Sequence, residues 1–118
     1  MLFEPIEAYV PSEYVVKPVT APWESRDAYA LRRATFCAEQ GIFAGDDRDA
    51  TDDVATLLVA VSCIAGESDQ VVGTVRIHAT APGIWFGSRL AVHPGFRRVS
   101  RIGAALIRLA VCTAHARV

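Results

Sequence analysis

Residues 79–118 contain no aspartate or glutamate. The same stretch carries six arginines (Arg89, Arg97, Arg98, Arg101, Arg108 and Arg117) and so a charge of +6. Residues 1–78 hold all thirteen acids against six bases, which gives −7. An arginine-rich segment with no acid of its own implies a polyanionic partner, either nucleic acid or a phosphorylated cofactor. Other absences narrow the class further. No run approaches the ~18 consecutive apolar residues that cross a bilayer, so no membrane partner is expected. The start, Met1-Leu2-Phe3-Glu4-Pro5, has no basic n-region and no long apolar stretch, so no signal peptide is expected. Cys37, Cys63 and Cys112 are odd in number and far apart. That pattern fits reduced thiols in a cytoplasmic protein better than a disulfide framework or a zinc site. His78, His93 and His115 are not spaced as metal ligands, and no metal is expected.

What is present is a chain of 118 residues, 52% of them apolar, enough for a single domain over 1–118 with a modest core. Tyr14–Val19 reads as a first strand, near an edge because of Pro18. From about Glu24 to Gln40, Ala28, Leu31, Ala34/Thr35 and Ala38 recur at helical spacing, and Gly41 suits the end of that helix. Residues 44–53 are acidic and turn-rich. Thr56–Ile64 and Val71–His78 are β-rich runs joined through residues 65–70 as a hairpin. Ala81-Pro82-Gly83 turns the chain into a fourth strand, Ile84–Val92, which Pro94-Gly95 ends. A last helix is expected from about Arg101 to His115, with Ile102, Ala105/Leu106, Leu109 and Thr113 on one face. The expected fold class is α+β: a mixed sheet with helices packed on it. A helix that follows a strand normally returns to a neighbouring strand, and here none follows.

The stretch Leu90–Leu106 concentrates the chemistry. It reads as a strand, a basic turn and a helix start. The first turn of a helix carries unpaired N–H groups and a partial positive charge, which together attract an anion. Gly103 and Ala104 keep that turn uncluttered, Ser100 is the expected N-cap, and Arg97, Arg98 and Arg101 surround the spot. The bland reading of the same residues is an ordinary strand-turn-helix with a solvated basic loop.

Leu90-Ala91-Val92-His93-Pro94, followed by Arg98-Val99-Ser100-Arg101-Ile102-Gly103-Ala104, resembles the acyl-CoA motif of the GNAT N-acetyltransferases, Arg/Gln-x-x-Gly-x-Gly/Ala. Leu31-Arg32-Arg33-Ala34-Thr35-Phe36-Cys37-Ala38-Glu39-Gln40 is similar to the first helix of members with an Arg-x-x-Val-Phe-x-x-Glu-Gln signature. Val72-Gly73-Thr74-Val75-Arg76 is similar to the family's third strand. The resemblance covers about residues 14–118 and is shared with a bacterial GNAT subgroup associated with nitrilase gene clusters. It implies a GNAT-like fold, here stopping after the helix that follows the fourth strand, and acetyl-CoA or another acyl-CoA as co-substrate. Ala91 and Val92 would then meet the pantetheine arm, and Arg98, Val99, Ser100, Arg101, Ile102, Gly103 and Ala104 would cradle the pyrophosphate. Arg101 stands where the motif has its first glycine. The family continues with further strands, so the resemblance also implies a longer protein, a complementing chain or a homodimer. The Asp-rich stretch with Gly73-Thr74-Val75-Arg76 is also similar to acyl-homoserine-lactone synthases, a reading ranked lower because the Arg98–Gly103 loop fits ordinary acetyltransferases better.

Transfer of an acyl group from a thioester to an amine needs a base for the amine proton and a donor for the carbonyl oxygen. A backbone N–H near Val92 could be the donor. Residues 84–92 contain no acid, so the catalytic base is unassigned, with Glu39 and the pair Asp52/Asp53 as candidates by charge alone. His93 and Trp85 read as structural. Three functions follow: an N-acyltransferase acting on a small-molecule or protein amine, a catalytically silent CoA-binding module, and a nucleic-acid binder. The last is disfavoured, because the arginines are not interleaved with aromatics.

Overall fold

The computed structural model describes residues 13–97 and 101–117. Four strands, β1 (Tyr14–Pro18), β2 (Thr56–Ile64), β3 (Glu67–Ala81) and β4 (Ile84–Val92), form one sheet in the order β1-β2-β3-β4. Every neighbouring pair is antiparallel, which corrects the expected mixed sheet. The reason lies in the connections: β2–β3 and β3–β4 are tight hairpins, which can only reverse the chain. The β2–β3 turn is shorter than expected. Ile64 pairs with Glu67 across Ala65-Gly66, which adopt φ 51° and 81°, the left-handed pair a two-residue hairpin requires.

Helix α1 (Pro22–Arg32) packs on one face of the sheet and helix α2 (Ile102–Ala116) on the other. Pro22 opens α1, where its missing N–H costs nothing. Ala21, the N-cap, has no side-chain acceptor, so Glu24 does the capping by accepting from the Thr20 and Ala21 N–H groups, both at 2.9 Å. Burial alone would raise the Glu24 pKa, but Lys17 and those two N–H groups outweigh it and hold it at about 2.

The expected helix over 24–40 is not uniform. From Arg33 to Glu39 the chain winds as a π-helix. The wider turn rotates the side chains off the α-helical face. Thr35 is therefore buried while Ala34 and Ala38, expected on the inner face, are exposed.

Between α1 and β3, Ala28, Leu31, Val59, Val61, Val71 and Ala91 form one core cluster. The other face joins Leu58, Ala60, Val72 and Ile77 to Ile102 and Leu106. Here α2 comes unusually close. A Cβ on Gly73 would lie 2.6 Å from Ile102 Cγ2 and 2.9 Å from Leu106 Cδ1, so glycine is required under this helix.

Candidate functional site

Two polar centres lie at the ends of this framework. The first is a cluster of charges on the α1 side that sequence reading missed. Arg32 is fully buried and donates from Nε to Asp47 Oδ2 at 2.7 Å, and from Nη1 and Nη2 to the Asp52 carboxylate at 2.7 and 3.0 Å. Arg76 reaches the Asp49 carboxylate at 2.7 and 3.2 Å, Asp52 Oδ2 at 2.9 Å and Ser88 Oγ at 2.9 Å. Arg89 sits on a bulge of β4 with φ 56°, which turns its side chain onto Asp47 and Asp49 and over the Phe43 ring. A short 3-10 helix, Ala50–Asp53, presents these acids: Asp49 caps it and accepts from the Thr51 N–H at 3.0 Å. The signals were present in two places. Arg32 falls in register with Ala28 on the inner helix face, and Arg76 stands between the buried Val75 and Ile77 in the middle of β3.

This cluster settles the role of one candidate base. Burial disfavours the charged form of Asp52, yet the hydrogen bonds from Arg32, the Asp49 N–H and Arg76 outweigh that and push its pKa well below the usual carboxylate range. Asp52 serves as the shared counter-ion of Arg32 and Arg76. Asp53 is exposed and takes no part in the cluster's ion pairs. Glu39 is bound bidentately by Arg97 at 2.6 and 2.8 Å, a pairing that lowers its pKa. Neither Glu39 nor Asp52 has the raised pKa of a carboxylate poised to take a proton.

The second centre is the junction of β4 and α2. Ala91 is buried beneath α1, while Val92 is half-buried and packs on the α2 side. His93 holds the exit from β4: its Nδ1 accepts from the Gly95 N–H at 3.1 Å and its ring stands edge-on to Phe96, a structural role. Arg98, Val99 and Ser100 lie outside the described residues. The N-cap of α2 is Arg101, not the expected Ser100, and among the described residues no side chain caps the helix there. As in any helix, the N–H groups of its first turn have no partner within the helix itself. Ile102 is fully buried as the anchor over Gly73, Gly103 is half-buried, and Ala104 is exposed. A Cβ on Gly103 would meet only Val92 Cγ2, at 3.9 Å. Among the described residues, then, packing does not demand glycine at 103.

A phosphate group suits this junction. Among the described residues, the lack of crowding at Gly103, the helix start without a capping side chain and the exposed Arg101 offer room, N–H donors and positive charge. The wider basic segment is less free than its composition implied. Arg89 and Arg97 are neutralised by Asp47, Asp49 and Glu39, and Arg117 donates to Thr56 Oγ1 at 2.6 Å. Among the described residues no group of His, Cys, Asp and Glu is arranged to hold a metal ion. Nor is any helix there long and apolar enough to cross a membrane.

Antiparallel strands flanked by these two helices define an α+β fold that solved structures share. A Lactobacillus plantarum protein assigned as an N-acetyltransferase superposes with a TM-score of 0.73 at 24% identity, covering 88% of this chain and 68% of that one. An acetyltransferase of the GNAT family from Staphylococcus aureus Mu50 superposes with a TM-score of 0.68 at 14% identity, covering 89% and 68%. The chain has the fold of the GNAT acetyltransferases; at these identities the likeness is one of fold. No protein-family model matches the sequence, and no curated protein matches it.

Proposed function

We propose that this chain forms the cofactor-binding portion of an acyl-CoA-dependent N-acyltransferase, with acetyl-CoA as donor and an amine of a small molecule or protein as acceptor. The observation that carries the reading is the start of α2 at Gly103, set beside Val92 at the end of β4 and, among the described residues, neither capped by a side chain nor crowded. In this reading the helix start with Arg98, Val99, Ser100, Arg101, Ile102, Gly103 and Ala104 receives the pyrophosphate, and Ala91 and Val92 line the path of the pantetheine arm. The fold shared with GNAT acetyltransferases supports it. The setting proposed is the cytoplasm, where Cys37, Cys63 and Cys112 would stay reduced, consistent with their free thiols. A second copy of the chain is proposed to cover the outer side of β4 and α2.

Titration calorimetry with acetyl-CoA, and separately with pantetheine, tests the reading. Binding is expected only with the phosphates present, and Gly103→Glu is expected to weaken it at least about tenfold by placing a carboxylate at the anion site. Undiminished binding by that variant would remove the helix start from the site. One observation favours a second reading, a CoA-binding module without catalysis: Glu39 and Asp52 are both committed to arginines. Binding of acetyl-CoA with no turnover across a panel of amines would support it.

A further inference from the structure

The end of the π-helical segment meets the basic turn after β4 in a contact that the proposed function leaves unused. Arg97 spends its Nη1 and Nη2 on Glu39, and its Nε donates to the Val92 carbonyl at 2.8 Å. Both side chains remain accessible, 37% and 42% exposed. Exposed ion pairs are ordinarily loose, but here three directed bonds fix one guanidinium. The carbonyl gives the contact its meaning. β4 is the edge strand of the described sheet, and the His93 N–H donates inward to the Val72 carbonyl at 2.8 Å. Alternation along an antiparallel strand then turns the Val92 N–H and C=O outward, to the open edge. Val92 therefore offers that edge one donor and one acceptor, and Arg97 covers the acceptor.

We propose that Arg97, held in place by Glu39, gates the β4 edge, and that a pantetheine arm must displace it from the Val92 carbonyl to lie along the strand. The proposal rests on the acyl-CoA reading above. An extended arm with two amide groups binds a strand edge through the strand's own N–H and C=O groups, as an added strand does. A guanidinium bonded at that carbonyl takes the acceptor and the space an amide would need. Glu39 acts only through Arg97, as a positioning residue.

The test titrates the wild-type chain, Arg97→Ala and Glu39→Gln with two ligands. One is acetyl-CoA; the other is 3′-phospho-ADP, which has the phosphates and no pantetheine arm. Both variants are expected to bind acetyl-CoA roughly two- to tenfold more tightly, the worth of one released hydrogen bond. Arg97→Lys keeps the charge but cannot make the three bonds, and should share the gain. Because it leaves the local charge as it is, its affinity for 3′-phospho-ADP is expected to stay within about twofold of wild type while its acetyl-CoA affinity rises, a split that a general loss of structure would not produce. Weaker or unchanged acetyl-CoA binding in Arg97→Ala overturns the gate, while wild-type binding would leave the acyl-CoA reading standing. A silent wild type with binding variants would support the gate more strongly still. If no form binds either ligand, the acyl-CoA reading fails and the gate falls with it.

Discussion

The two faces of the sheet are held by different physics. On the α1 side, Arg32 and Arg76 bridge Asp47, Asp49 and Asp52, and Lys17 pairs with buried Glu24. On the α2 side the core cluster is apolar throughout, and its closest fit is between Ile102, Leu106 and the bare backbone of Gly73. The first face gains its specificity from the direction and number of charged hydrogen bonds, the second from shape. A buried ion pair adds little net stability over a well-packed apolar substitute, yet costs several kcal/mol when one partner is removed. The difference also divides the labour. Charge pins residues 43–53 across the sheet, whereas the proposed anion site stands on shape, because α2 is placed by its packing on Gly73.

The sharpest break in this contrast is Arg32→Met. It removes the common partner of Asp47 and Asp52 and leaves two buried carboxylates short of compensation. The expected loss is about 3–5 kcal/mol. The protein carries one tryptophan near each face, Trp23 against the α1 cluster and Trp85 against the α2 cluster. Chemical unfolding followed in Trp85→Phe and Trp23→Phe backgrounds reports each face separately. If the division is real, Trp23 responds to Arg32→Met at lower denaturant than Trp85; coincident transitions would mean that the two faces unfold as one unit.

Acid should act on the same face. Glu24, held at about 2 against an ordinary 4.5, contributes stability that is fully present above roughly pH 5 and is lost as pH falls towards 2. Asp49 and Asp52 are shifted in the same direction, chiefly by Arg76 and Arg32, and lose their contribution with the same sign. Glu24→Gln is expected to cost about 2–3 kcal/mol at pH 7 and almost nothing near pH 2. Melting curves across that range measure it. A constant difference at every pH would assign the loss to the cap hydrogen bonds rather than to charge.

The legibility of the two faces in the sequence differed for the same physical reason. Strands β1 to β4 and helix α2 follow from apolar periodicity and turn residues, so their order and approximate bounds were readable. Ile102 and Leu106 were found by spacing alone. The charge cluster was not found, because ion pairing across 15 to 42 positions leaves no local period. Composition instead suggested an acidic turn-rich stretch and a basic third free for a polyanion, where the structure has Asp47 under Arg32 and Arg89, and Glu39 under Arg97. The π-helical winding of 33–39 was equally silent, since its residues suit an α-helix.

Gly73→Ala probes the face built on shape. The added Cβ has nowhere to go unless α2 moves, and the expected cost is about 1–2 kcal/mol. Because the movement displaces the helix start, this variant should also weaken acetyl-CoA binding, which Arg26→Ala, on the exposed side of α1, should not. Equal affinity in Gly73→Ala and wild type, by calorimetry, would separate the anion site from the packing beneath it.

The smallest stability effect is expected where the apolar face runs out. Between β4 and α2 lies an open groove of about 350 Å³, lined by Ile77, Trp85, Phe86, Leu90, Ile107 and Val111 among others. Phe86, Ile107 and Val111 are each more than half exposed. Among the described residues no side chain lining the groove is charged, so two copies meeting there would bring no like charges from that lining together. Val111→Glu changes an exposed position and should alter monomer stability by no more than about 0.5 kcal/mol. In a homodimer it would bury a carboxylate against apolar side chains, and the dimer should dissociate at concentrations where the wild type remains associated. Light scattering on both proteins decides it. A wild type that is monomeric at every concentration removes the second copy, and leaves the groove's apolar surface as the face to probe with other polypeptides.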